Sequence, residues 1–320
     1  MSSHALPAVL VCTALACAAP QRTTVPCEVL VPVLDTKQSV VTATAPDGKP
    51  YPVFRVAPVT KLLGRVRGEL ETSFAQHVLK LDRYARNLLI ARRAGARAPI
   101  DEELTAPMYL LMSTEEGGFA RFGFWLEDAN GKGKLVLAGY VDLVVSEDSV
   151  EAGDFEEIFS HELGHLILKA LTGGLPHGRS RKGHLSMSVS DYPTAFDEGY
   201  AEHFQPLVRD VTTNTDLRKL TSGTTTTDFD SFWLSAADGQ LRTDGVKRNL
   251  FIHRKSLPLM VLDAKPDLYG LFIEEETSTT YLPTELKNGQ EMMASEGVIA
   301  TLFYRMVNDQ HLRESYSVPS

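Results

Sequence analysis

Cysteine is scarce and confined. The 320-residue chain has three, Cys12, Cys17 and Cys27, and none follows them. No disulfide framework can staple the body of the protein, which must fold on buried apolar surface, and a metal site there must be built from histidine and carboxylates. Positive charge is in deficit: 32 Lys plus Arg face 41 Asp plus Glu, a formal net charge of −9. Such a surface repels polyphosphate and argues against nucleic acid as a partner. Long apolar runs are lacking too, since the stretch ALPAVLVCTALACAA at residues 5–19 is too short to span a bilayer. Internal repeats are absent. What is there, 43% hydrophobic and 23% charged residues, is an ordinary globular mixture.

Residues 5–19 have the length of a signal-peptide core, with small residues Ala14, Ala16 and Ala18 as cleavage sites and polar Gln21 to Thr24 beyond Pro20. Ala14-Leu15-Ala16-Cys17 resembles a loose bacterial lipoprotein box, in which Cys17 would become the lipidated first residue. It departs from that pattern in a leucine one position late and in a start, Met1-Ser2-Ser3-His4, without Lys or Arg. The expectation is an exported protein, secreted, periplasmic or surface-anchored through a lipid at Cys17, with no transmembrane span.

The remainder divides by period. Within residues 27–100, β-rich runs (EVLVPVL, SVVTATA, YPVFRVA) broken by prolines and Asp47-Gly48 read as small antiparallel strands, an entry sheet or subdomain. Apolar residues from Val59 to Leu89 then recur at helical spacing, which predicts one or two amphipathic helices ending before Gly95. Residues 101–210 form the expected central core. Strands are predicted over 108–113, 119–127 and 134–146, with Asn130-Gly131 as a hairpin signal. They lead into a helix from about Asp154, its predicted cap, to about Leu171, stopped by Gly173-Gly174. A second helix is predicted from Ala195 to about Gln205, ended by Pro206. Residues 211–320, a carboxy-terminal subdomain, open with a threonine-rich loop and hold a helix over 291–307, with Met292, Val298, Leu302, Phe303 and Met306 facing a core. The basic stretch 177–184 and the acidic run 274–276 read as solvated surface.

The first of those helices contains His161-Glu162-Leu163-Gly164-His165. Residues four apart share one helical face, so both imidazoles can converge on one ion, with Glu162 beside a water in the open position. Two ligands hold a catalytic zinc poorly; a third must come from elsewhere. The second helix carries Asp197-Glu198-Gly199-Tyr200-Ala201-Glu202.

HELGH followed by DEGYAE resembles the gluzincin metallopeptidases, the clan of thermolysin and the aminopeptidase N family, in which a second helix contributes a glutamate in an E-G-x-A context. The resemblance covers roughly residues 108–208. It implies an α+β fold with a zincin-like core: a mixed sheet packed on the motif helix, and a second helix carrying the third ligand. An amino-terminal β-rich segment and a mainly helical carboxy-terminal portion complete the expectation. It further implies His161, His165 and Glu198 as ligands of one Zn2+ per chain and Glu162 as general base and acid. Glu202, one turn after Glu198, would hydrogen-bond a ligating histidine, and Asp197 would cap or orient its helix. The reaction implied is hydrolysis of a peptide or protein substrate. No Gly-rich exopeptidase motif precedes the HELGH, which tilts the expectation toward an endopeptidase.

Gluzincins also supply a Tyr or His to hold the oxyanion, and Tyr192, Tyr200, Tyr281, Tyr304, His184 and His253 are all open for that part. The strand at 134–146 is the expected edge for pairing with extended substrate. Two other readings stand beside the peptidase: a catalytically silent relative serving as a binding or structural module, and a zinc hydrolase of non-peptide amides. The presence of Glu162 speaks against the silent module, because a structural zinc has no use for that carboxylate.

Overall fold

The computed structural model describes residues 24–95, 107–115, 117–176, 178, 186–187, 189–219, 242–253 and 286–316. The apolar run 5–19 with Cys17, most of the basic stretch, the threonine-rich run, the acidic run, Tyr281 and His184 lie outside them.

Six strands form one mixed sheet: β1 (Cys27–Pro32), β2 (Thr42–Thr44), β3 (Pro50–Val56), β4 (Met108–Met112), β5 (Gly118–Glu127) and β6 (Gly133–Leu143). The ladder runs β1-β4-β6-β5-β3-β2, and β1 also pairs antiparallel with β3, Leu30 opposite Val56. Five strands therefore close on themselves. Inside the ring Leu30, Phe54, Tyr109, Leu111, Phe124 and Tyr140 make one cluster, with Phe124 centred 5.0 Å from Tyr109 and 5.5 Å from Tyr140. Closure explains why β4 reads as an unbroken apolar run, MYLLM: Tyr109 and Leu111 enter the ring while Met108 and Leu110 face the helices outside it. The predicted hairpin joins β5 to β6, with Gly131 at φ 72 and the Asp128 carboxylate accepting from the amides of Asn130 and Lys132.

The amphipathic segment folds as α1 (Lys61–Leu70) and α2 (Ser73–Arg93), capped by Thr60 and Thr72. After β6 come α3 (Glu147–Ala152) and the motif helix α4 (Asp154–Thr172). The main core lies between the outer sheet face (Val29, Met108, Leu110, Val141), α2 (Phe74, Val78, Leu79) and α4 (Phe155, Phe159, Leu163). Further helices are α5 (Tyr192–Glu202), α6 (Phe204–Val211), α7 (Thr215–Lys219), α8 (Arg242–Arg248), α9 (Gly289–Met293), α10 (Glu296–Asn308) and α11 (Gln310–Tyr316). The expected α+β class with a mixed sheet is what the chain adopts. Among the described residues no helix is long and apolar enough to cross a membrane.

Three local expectations are corrected. Asp154 lies inside the first turn of α4 rather than capping it; Gly153, at φ 90, occupies the cap position with no side-chain hydrogen bond. Pro206 does not end a helix. The break comes at His203, and Pro206 sits in the first turn of α6, where its missing N–H has no intrahelical partner to lose. On α10 the buried face is Glu296, Gly297, Ile299, Ala300 and Thr301, while Leu302 and Met306 are exposed, because small residues let this helix approach its neighbours closely. A Cβ on Gly297 would lie 2.4 Å from Phe251.

Candidate metal centre

Helix α4 is positioned by glycine on two sides. A Cβ on Gly118 of β5 would lie 2.8 Å from Glu162 Oε1, so the strand backbone runs directly against the motif glutamate. On the other side a Cβ on Gly164 would lie 3.0 Å from the Ala201 Cα and 2.9 Å from Phe204, so the glycine of HELGH is what allows α5 and α6 to cross so close. Arg209 of α6 adds a fork to Glu157 of α4, Nε to Oε1 at 2.5 Å and Nη2 to Oε2 at 2.9 Å. Helix α5 is started by Asp191, whose carboxylate accepts from the Thr194 amide at 2.9 Å.

This crossing delivers Glu198 to the two histidines. His161 Nε2 and His165 Nε2 are 3.3 Å apart, and Glu198 Oε2 lies 3.5 Å from the first and 3.3 Å from the second. The imidazoles meet edge to face at 80°. All three side chains are mostly buried, and together they form a group that can hold a metal ion. Asp197 closes the back of the site, its Oδ1 2.9 Å from His165 Nδ1. A carboxylate there takes the Nδ1–H and leaves Nε2 free to ligate.

Glu202 was expected in that supporting part, and the structure puts it elsewhere. Its carboxyl is completely buried, hydrogen-bonds neither imidazole, and lies by Arg242 of α8 and Glu296 of α10. Burial, opposed by Arg242 and reinforced by Glu296, raises its pKa well above the carboxylate range.

The same physics acts at the site. Burial raises the pKa of Glu162, against the pull of both imidazoles and with the push of Glu198 and Asp197. Burial disfavours a charged His165, but its hydrogen bonds to Asp197 and Glu198 outweigh that and push its pKa up to about 10.

In front of the donors lies a cleft of about 860 Å³, lined by α4 from His161 to Lys169, by Gly118–Arg121 of β5 and by Thr194 to Glu198 of α5. None of the described oxyanion candidates lines it. Tyr192 is exposed at the start of α5; Tyr200 packs on His203, Phe204 and Phe303; the Tyr304 hydroxyl donates to Asp210; His253 follows the turn Leu250–Ile252. Among the described residues, the side-chain donors that line it besides the two histidines are Arg121, Lys169 and Thr194. Sequence reasoning missed Arg121, although it is the one cation within β5. The strand expected to offer a free edge, β6, does not offer one beside α4. Where β6 passes α4, at Tyr140–Leu143, it is paired on both sides, by β4 and β5. Among the described residues, 118–122 of β5 pair with β6 alone, because β3 meets β5 at Trp125–Glu127.

Comparison with protein-family models, with curated proteins and with solved structures produced no match to this chain. The functional reading therefore rests on the residues.

Proposed function

We propose that the protein is a zinc-dependent peptidase of gluzincin type, with a zincin-like core in which His161, His165 and Glu198 hold the ion. One observation carries the reading. A tetrahedral zinc with bonds of about 2.0–2.1 Å needs donors about 3.3–3.4 Å apart. The three donor atoms stand 3.3, 3.3 and 3.5 Å apart, so they fit such an ion with little movement. Two imidazoles and one carboxylate, with a cleft opening before them, leave a fourth position for solvent.

A zinc ion held there supplies Lewis acidity, which makes water nucleophilic near neutral pH and polarises a carbonyl. Glu162, adjacent in sequence to one ligand and pressed against the β5 backbone, takes the proton of the attacking water as the new C–O bond forms. It passes the proton to the nitrogen as the C–N bond breaks, and its raised pKa suits a group that must both accept and release. Asp197 holds His165 in the ligating tautomer. The edge at 118–122, unpaired among the described residues, suits an extended peptide, whose main chain can add to β5 as a further strand.

The test combines metal analysis with a peptide digest. Zinc is expected near one per chain, and cleavage should stop with chelator. Glu162→Gln should keep the metal and lose at least about a hundredfold in turnover. Full activity in that variant would sink the assigned base, and zinc without any turnover would favour the silent binding module.

A further inference from the structure

We propose that the cleft selects peptides with an acidic side chain on the amino-terminal side of the scissile bond, and that Lys169 reads it. This specificity rests on the peptidase reading above.

The first step is the charge of the cleft wall. Arg121 is the more obvious anion receptor, but its charge is already answered. Its Nε lies 2.8 Å from Asp142 Oδ2 and its Nη2 2.7 Å from Glu115 Oε2, with the guanidinium over the Phe119 ring. Asp142 is buried, so the Arg121 charge is held against a carboxylate that water does not reach. Lys169 is different. It lines the same cleft, is exposed, and makes no ion pair among the described residues; its Nζ stands 4.9 Å from the centre of the Phe122 ring. A compact ammonium with free donors, resting on an aromatic surface, takes a carboxylate.

The second step is direction. Lys169 follows His165 by four residues and so shares its face, about 6 Å further along α4. Strand β5 runs alongside α4 in the same sense: Gly118 lies against Ile158 and Glu162, and Phe122 lies beneath Lys169. A peptide added antiparallel to β5 therefore travels from Phe122 toward Gly118. Its residues before the scissile bond pass Lys169, and those after it pass the Gly118 end. Since an extended chain advances about 3.3 Å per residue, the side chain over Lys169 belongs about two residues before the cleaved bond.

The experiment uses peptides identical except for Glu, Gln or Lys at each of the three positions on either side of the cleaved bond. The zinc-loaded full chain should prefer Glu over Lys about fivefold in kcat/KM at one amino-terminal-side position, the size of a half-exposed ion pair, and less at high salt. Lys169→Glu should invert that ratio. An equal response to all three residues, a preference unchanged in Lys169→Glu, or a preference confined to the carboxy-terminal side would overturn the proposal. Anisotropy of the same peptides, fluorescently labelled, on Glu162→Gln separates the two readings. Charge-selective binding without cleavage by the unaltered protein supports the acid subsite and refutes hydrolysis. Cleavage without charge selection refutes only the subsite, and neither binding nor cleavage refutes both.

Discussion

At the scale of single residues the site turns on which acid stands behind His165. Asp197 lies 2.9 Å from Nδ1, whereas Glu202 lies among Arg242 and Glu296. If the proposed zinc is bound there, Asp197→Asn should weaken its binding about ten- to a hundredfold, the usual cost of losing a carboxylate behind a ligating histidine. Glu202→Gln should leave that affinity within about twofold, because it changes a buried group that touches none of the three donors. Competition with a chromogenic chelator measures both. Equal losses in the two variants would restore Glu202 to the part the motif first implied.

At the scale of elements, α5 is held between two helices by glycines. Gly164 of α4 admits Ala201 and Phe204, while Gly199 of α5 admits α10, where an added Cβ would lie 2.5 Å from the Glu296 carbonyl. The position of Glu198 depends on this packing, since it rides on the helix so clamped. Gly164→Ala would meet backbone at 3.0 Å, a contact that no rotamer change relieves. It should cost about 1–3 kcal/mol of stability, read by denaturant unfolding, and should also lower zinc affinity by moving α5 from α4. A variant that keeps both would mean that the crossing has slack the glycine does not need to provide.

At the scale of the whole molecule, pH acts through groups whose burial opposes charge. His203, at the junction of α5 and α6, is buried against Tyr200, Phe204 and Phe303. Burial, partly offset by its hydrogen bond to the Tyr200 carbonyl, lowers its pKa to about 4. Because the folded pKa is below the unfolded one, the unfolded chain takes up this proton first as pH falls. The neutral imidazole thus favours folding above pH about 6.5, and that contribution, about 3 kcal/mol, is lost between there and pH about 4. Asp82, Asp142, Glu156, Glu162 and Glu202, all raised by burial, act with the opposite sign and lose stability as pH rises. Comparison with His203→Phe isolates the histidine: urea unfolding of the variant should show a shallower decline from pH 6.5 to 4. Parallel curves would exclude His203 as the source.

Much of this was legible along the chain. The strands at 108–112 and 118–127, the hairpin at Asn130-Gly131 and the extent of α4 follow from side-chain period and glycine punctuation, which are local properties. So does the sharing of one face by His161 and His165, since four residues return a helix to nearly the same direction. The rest is decided between elements. That β1 closes on both β3 and β4, that among the described residues the free edge beside α4 is β5 rather than β6, and that Asp197 rather than Glu202 reaches His165 depend on distant pairings and on where two helices cross. Spacing places Glu198 and Glu202 on one face of α5 but cannot say how far along its axis the neighbour lies. That distance is set by the meeting of Gly164 with Ala201, a contact between residues far apart in sequence that exists only once the chain has folded.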